Sequence, residues 1–281
     1  MRLSRRQGSV DVHHSDGDGQ LNLAGWQWLF LIEGLFSVAV GLAGWIYLTD
    51  RPGIANWLSP SERGALESTL LAEKEGESIT KASTVRRSLT SRPIIILGFM
   101  YSGVNLSLTT AAFWLPQVIR STGLSPIGVG FAAAVPFALG AIAMIFWGRR
   151  SDRKNERLFH IMLPALMASA GWALAAFANG PMMLIAAVSL AAIGHFSATA
   201  VLWTLPSRFL SGAAAASGMA MVSVIANIGS AFGPSFGFIR DSFGGWTYAL
   251  LFVSVSMLIT PCVRPASPAL VRCGSWAEIV E

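Results

Sequence analysis

The sequence predicts an all-α fold, a polytopic membrane helix bundle with seven transmembrane helices. Three observations carry this. Of 281 residues, 53% are apolar and only 12% are charged, about half the charged share of an ordinary soluble domain. Mean hydropathy is +0.55. The apolar residues also fall in long continuous runs rather than alternating ones, which favours helices over barrel strands. A soluble core could not hide this much apolar surface, so a disordered chain, a coiled coil and a soluble enzyme are excluded.

A hydrocarbon core of ~30 Å needs about 20 helical residues. Runs of that kind lie at 24–48, 93–119, 126–148, 159–178, 181–205, 213–239 and 246–263, the last being short. Lys and Arg occur only at their rims. The connectors are short and polar except for 49–92, which holds seven Lys/Arg and six Asp/Glu. Within it, Ser59-Pro60-Ser61-Glu62 spells a helix start: Ser59 caps, Pro60 suits the first turn, and Glu62 stands three after the cap. Leu66 and Leu70 then share a face, predicting a short amphipathic helix on the membrane surface, against the bundle or in solvent.

The cations set topology. With 49–92 inside, the cluster Arg149, Arg150, Arg153, Lys154 and Arg157 is also inside, as are Arg208, Arg264 and Arg272. Fifteen cations lie inside and five outside. The count puts the N-terminus outside and the C-terminus in the cytoplasm. Residues 1–22 carry three arginines but no apolar stretch, so they are no signal peptide. Basic loops between apolar runs point to topology and not to nucleic acid. Cys262 and Cys273 form no metal motif and are read as incidental thiols. No nucleotide loop, metal spacing or nucleophile–base pair is present, so neither a cofactor nor an enzyme is expected.

Gly25-Trp26-Gln27-Trp28-Leu29-Phe30-Leu31-Ile32-Glu33-Gly34 resembles the start of helix 6 in the major facilitator superfamily, and most of all its anion:cation symporter branch of phthalate- and tartrate-type organic-anion permeases. Phe113-Trp114-Leu115-Pro116-Gln117 resembles the outer end of helix 7. Gly148-Arg149-Arg150-Ser151-Asp152-Arg153 resembles the loop between helices 8 and 9, and Asn227-Ile228-Gly229 with Gly233-Pro234 resembles helix 11. The resemblance runs from about Leu21 to about Leu258. It implies a twelve-helix fold in two halves, of which this sequence carries helix 6 and helices 7 to 12: an incomplete major facilitator fold. The implied organisation is a non-family segment 1–22, helix 6 at 23–48, a cytoplasmic central loop at 49–92, the C-terminal six-helix half at 93–263 and a cytoplasmic tail at 264–281. In the loop signature, Gly148, Asp152, Arg153 and Arg157 fit. Asn155 stands where glycine is expected and Glu156 where a basic residue is. The resemblance implies a gating latch there, whose partner would lie on helix 5.

Polar side chains in hydrocarbon should face protein or a water-filled hollow. Tyr101, Asn105 and Thr109 share one helical face, and His195, Thr199 and Trp203 repeat the spacing. Asn227 lies mid-span with Ser223 and Ser230. The resemblance places the first two sets on cavity-lining helices. Asn105 and Asn227 are expected to donate to a substrate carboxylate or hydroxyl, Trp203 to pack on its carbon skeleton, and Tyr101, Thr109 and Thr199 to add hydroxyl contacts. His195 is either a proton-sensitive contact or a neutral histidine bonded between helices. Gly229, Gly233 and Gly237, at four-residue steps, form a close-packing face. Glu33 is the one acid well inside a span, about 13 Å from its end. With Ser37 and Gly41 it should turn toward the bundle. Pro136 and Pro164 are expected to kink their helices.

The expected function is secondary transport of small organic anions by alternating access, coupled to a proton or other cation, in the plasma membrane. The expected partners are the organic-anion substrate, the lipid bilayer and a chain supplying the N-terminal half. Without that half the polypeptide is expected not to complete a transport cycle. The alternative is a non-transporting membrane remnant or scaffold.

Overall fold

The computed structural model describes residues 25–49, 52–55, 57–77, 89–154, 156–206 and 212–262. Asn155, Arg208, Arg264, Arg272, Cys273 and the arginines of 1–22 lie outside them. The described residues are helical throughout, in two compact units that divide after Gly76.

The first unit holds α1 (Gly25–Tyr47), a short 3-10 turn at Pro52–Ile54 and α2 (Pro60–Glu77). Alpha1 is apolar on every side and buries none of its side chains. Within this unit Glu33 is exposed, and Ser37 donates to its backbone carbonyl at 2.8 Å. Alpha2 starts with the capping box its sequence spells. The Glu62 carboxylate accepts from the Ser59 backbone N–H at 3.0 Å and from its hydroxyl at 2.6 Å. The Glu62 N–H meets Ser59 Oγ at 3.3 Å. These Ser59 side-chain and backbone bonds hold the Glu62 carboxyl below its ordinary pKa. The Arg63 guanidinium donates to the Ala55 carbonyl at 2.7 Å, tying the preceding turn to the helix. Leu66 and Leu70 are exposed.

The second unit holds α3 (Arg92–Arg120), α4 (Pro126–Lys154), α5 (Arg157–Ala176), α6 (Pro181–Leu202), α7 (Gly212–Ser230), α8 (Gly233–Phe243), α9 (Trp246–Met257) and α10 (Ile259–Cys262). Among the described residues, six spans, including α1 and the combined 214–243, are long and apolar enough to cross a membrane, and Trp246–Pro261 is a shorter apolar helix. Two expected spans are interrupted. The 213–239 run breaks at Ala231–Phe232, because Pro234 has no N–H for the Ser230 carbonyl. The Ser235 N–H bonds instead to the Phe232 carbonyl at 3.0 Å. The 246–263 run breaks at Leu258, where Pro261 likewise cannot serve the Met257 carbonyl. Conversely, residues 149–154, expected as loop, continue α4. Nothing there breaks a helix, and the cations Arg153 and Lys154 suit its C-terminal dipole.

Alpha5 and α6 lie closest. A Cβ on Gly194 would strike the Pro164 carbonyl, and one on Gly171 the Ala191 backbone. Small residues thus let the two backbones touch. Alpha9 is pinned to α5 by a reciprocal pair: Ser169 Oγ donates to the Ser254 carbonyl at 2.9 Å and Ser254 Oγ to the Ser169 carbonyl at 2.8 Å. Thr260 of α10 donates to the Met100 carbonyl of α3 at 2.6 Å. Alpha8 ends on Gly244 at φ 70°, the left-handed residue that closes a helix.

Candidate functional site

The polar cluster of the bundle forms where α7 stops. Asn105 Nδ2 of α3 donates to Ser230 Oγ at 2.8 Å and lies 3.4 Å from Asn227 Oδ1. The Thr109 hydroxyl, 3.0 Å from the Asn105 carbonyl and 3.1 Å from Ser230 Oγ, closes a ring. Asn227 Nδ2 donates to the Ser223 carbonyl at 2.9 Å. Two capacities remain among the described residues: the Asn105 side-chain oxygen accepts no hydrogen bond, and one Asn227 amide proton has no acceptor.

The glycine face of α7 and α8 makes the approach possible. A Cβ on Gly229 would sit 2.7 Å from Ser102 Cβ, one on Gly237 2.6 Å from the Trp114 ring, and one on Gly233 3.5 Å from Thr109. All three glycines meet α3. Asn227 and Ser230 reach the same helix. A groove of about 570 Å³ opens beside the cluster, lined by Thr109, Trp114, Gln117, Ser230, Gly233 and Pro234 among others. The α7–α8 break supplies one wall, and the Ser230 carbonyl has no backbone donor at position 234. Above it, Trp114, Phe236 and Trp246 pack as a cluster. The Arg240 guanidinium lies 4.9 Å from the Trp246 ring and pairs with Asp241.

The other expected residues lie apart from this cluster. Tyr101, one turn earlier on α3, packs edge-on against Trp203 at 5.1 Å. The Thr199 hydroxyl donates to the His195 carbonyl at 2.9 Å, the usual back-bond of a helical threonine. His195 is 4% exposed. It lines a separate cavity of about 20 Å³ with Ser107, Trp172 and Phe137, on a different side of α3 from Asn105. Its Nδ1 has no hydrogen-bond partner there, while the Trp172 indole donates to Ser107 Oγ at 2.7 Å. His195, Asn105 and Asn227 therefore do not share one hollow. Pro136 lines the His195 cavity, and both Pro136 and Pro164 lie buried within their helices.

At the α4–α5 link, Asp152 pairs with Arg157 at 2.6 Å, and Arg157 also donates to Ser151 Oγ at 3.1 Å. The Arg157 side chain is only 10% exposed. Asp152 thus closes on its own link. Arg153 is exposed and forms no ion pair among the described residues, and a Cβ on Gly148 would meet open space. Ser230 was legible only as a neighbour of Asn227. Gln117 and Trp114 stood in the helix 7 motif without a role, and nothing in the sequence joined Ser107 to Trp172.

The profile of the Major Facilitator Superfamily matches residues 19–234. A candidate tartrate transporter of Agrobacterium vitis is 40% identical over 259 residues, covering 90% of this chain and 58% of that protein. A quinolone resistance transporter of Acinetobacter baumannii is 34% identical over 243 residues, covering 86% of this chain and 56% of its own length. The chain thus spans a little over half the length of these relatives. The crystal structure of the Escherichia coli fucose:proton symporter superimposes with a TM-score of 0.57 at 15% identity, covering 83% of this chain and 64% of that one. That similarity is one of fold. The all-helical architecture, the membrane-length helices and these relatives converge: the chain is a multi-pass membrane protein and belongs to the major facilitator superfamily.

Proposed function

We propose that the chain forms part of a secondary transporter of small organic anions. One observation carries the reading: the Asn105–Asn227–Ser230–Thr109 ring stands at a broken span beside an open groove and keeps one N–H donor and one carbonyl acceptor unused. A carboxylate takes the donor, and a hydroxyl on the same small molecule serves the acceptor. Hydroxylated dicarboxylates and sugar acids combine both groups, and the name of the 40%-identical relative supports that class. Gln117 and Trp114 extend the groove, and the Tyr101–Trp203 pair lies one turn before Asn105 on α3.

Alternating access rocks one helical half against the other around a midplane site. We assign the helices from Arg92 onward to the second half, with the first on a preceding segment or another chain. Gly148, Asp152, Arg153 and Arg157 make the cytoplasmic latch, with Arg153 the cation left for a partner. Glu33 and His195 are the two candidates for a coupling proton. The topology proposed is plasma-membrane, with the C-terminus cytoplasmic.

The test is binding of labelled tartrate and a panel of dicarboxylates to the chain reconstituted in liposomes. Asn105→Ala and Asn227→Ala are expected to weaken binding at least tenfold, about 1.4 kcal/mol. Thr199→Ala, whose hydroxyl is engaged with backbone, is expected to leave it unchanged. Binding that survives both asparagine substitutions removes the cluster from the substrate site. Absence of binding to any organic anion favours the scaffold reading.

A further inference from the structure

A second groove, of about 620 Å³, opens between α3, α7 and α9. On α3 it is lined by Ile95, Phe99, Ser102, Gly103 and Leu106. Its lining contains no charged side chain. Its hydroxyls are engaged internally: Ser102 donates to the Phe99 carbonyl and Ser256 to the Val253 carbonyl, both at 2.7 Å. The floor lies at backbone level, because a Cβ on Gly103 would strike the Ser256 carbonyl and one on Gly229 would sit 2.7 Å from Ser102 Cβ. The groove thus offers hydrocarbon walls and nothing for a polar ligand to bind.

Its register along α3 identifies the occupant. Ile95 to Leu106 rises about 16 Å, roughly one leaflet of a ~30 Å hydrocarbon core. Arg92 precedes Ile95 by three residues and Phe99 by seven, so it stands on the same helical face at the end of the groove. It is the first residue of α3, is exposed, and makes no ion pair or hydrogen bond among the described residues. A greasy channel one leaflet long with an unpaired cation at its interfacial end is complementary to one lipid. We infer that the α3–α7–α9 groove binds one acyl chain of a phospholipid whose phosphate rests on Arg92. Ile228 and Gly229 line the wall, between Asn227 and Ser230 in sequence. The lipid therefore supports the back of the polar cluster and fixes the distance between α7 and α9.

The experiment uses the full chain, delipidated in detergent, with bound molecules counted by native mass spectrometry. The probes are dioleoyl phosphatidylglycerol, dioleoylglycerol and inorganic phosphate. One phosphatidylglycerol per chain is expected. Dioleoylglycerol should bind about fivefold more weakly, the worth of one interfacial cation, and phosphate alone should not bind. Arg92→Gln should bring phosphatidylglycerol down to the dioleoylglycerol level. Ile228→Trp with Val255→Trp, both at exposed rim positions, should fill the groove and weaken both lipids at least tenfold with helicity unchanged. If that pair unfolds the chain, Val255→Trp alone is read by fluorescence at one equivalent of phosphatidylglycerol brominated in its acyl chains. Quenching there, with none at Phe131→Trp, supports the site, and equal quenching at both overturns it. Equal affinity for the two lipids, undiminished binding in the folded double variant, or disulfide dimers of Val255→Cys showing a second copy in the groove would each overturn the inference.

Discussion

The α5–α6 and α3–α7 contacts both rest on glycine, but their neighbours differ. At α5–α6, Gly171 and Gly194 press on backbone atoms of Ala191 and Pro164, which cannot give way. At α3–α7, Gly229 likewise meets backbone, at the Ser102 carbonyl, but Gly98 faces the Ile225 side chain, and Gly237 of the following α8 faces the Trp114 ring. Alongside run the Asn105, Thr109, Asn227 and Ser230 hydrogen bonds, a helix break and two open grooves. The first contact is a dry, fixed seam. The second mixes one backbone contact with adjustable side chains and polar partners. Backbone-level packing holds a bundle together, and side-chain-level packing is where it can reorganise.

The sharpest way to break this comparison is Gly194→Val. Its branched side chain has only the Pro164 carbonyl and Ala168 backbone to displace, so overpacking should cost about 3 kcal/mol, read as the shift of the unfolding curve in detergent. A cost below about 1 kcal/mol would show that the seam yields. Trp172→Phe comes next. It removes the indole bond to Ser107 beside His195 and should cost about 1–2 kcal/mol, without altering anion binding at the Asn105 cluster. A binding change would join the two cavities that the structure separates.

Much of this contrast was legible in the sequence. Apolar runs gave the spans because hydrocarbon tolerates little else. The four-residue glycine steps marked the face that meets α3, and mid-span Asn105 and Asn227 found each other because an isolated amide in lipid is costly. The placement of His195 was not legible. Helical spacing gives the direction of a side chain from its own axis, not which side of a neighbouring helix it meets. Likewise Pro234 was visible as a motif, but the resulting break depends on whether α3 fills the kink. The α4–α5 link was expected as a loop because its residues are charged, yet charge does not end a helix.

Smaller effects serve as controls. Ser59→Ala should weaken the start of α2 by about 1 kcal/mol, read by hydrogen exchange of its first amides, with neither seam altered. The cap also has a pH signature. The Glu62 carboxyl is held below its ordinary value by Ser59. Its contribution is therefore full above that ordinary value and fades as pH falls through the lowered one. Protection of the first α2 amides, relative to their intrinsic exchange rates, should fall in acid, and Ser59→Ala should reduce that dependence without removing it, since the Ser59 backbone N–H bond to Glu62 remains. The smallest effect is expected of Gly233→Ala, whose added methyl meets only Thr109 at 3.5 Å. Stability should stay within about 0.5 kcal/mol, in contrast to Gly194.

The interruption before Pro234 also assigns mechanical loyalties. Arg240 lies over the Trp246 ring, and Phe236 packs between Trp114 and Trp246. Alpha8 is thereby clamped to the start of α9 and the far end of α3, and only a two-residue joint links it to α7. A tilt of α7 would bend that joint and leave the aromatic clamp at rest. The two pieces of one span are thus anchored separately, α7 by glycine contacts and hydrogen bonds to α3 and α8 by rings, with the polar ring at the joint between them.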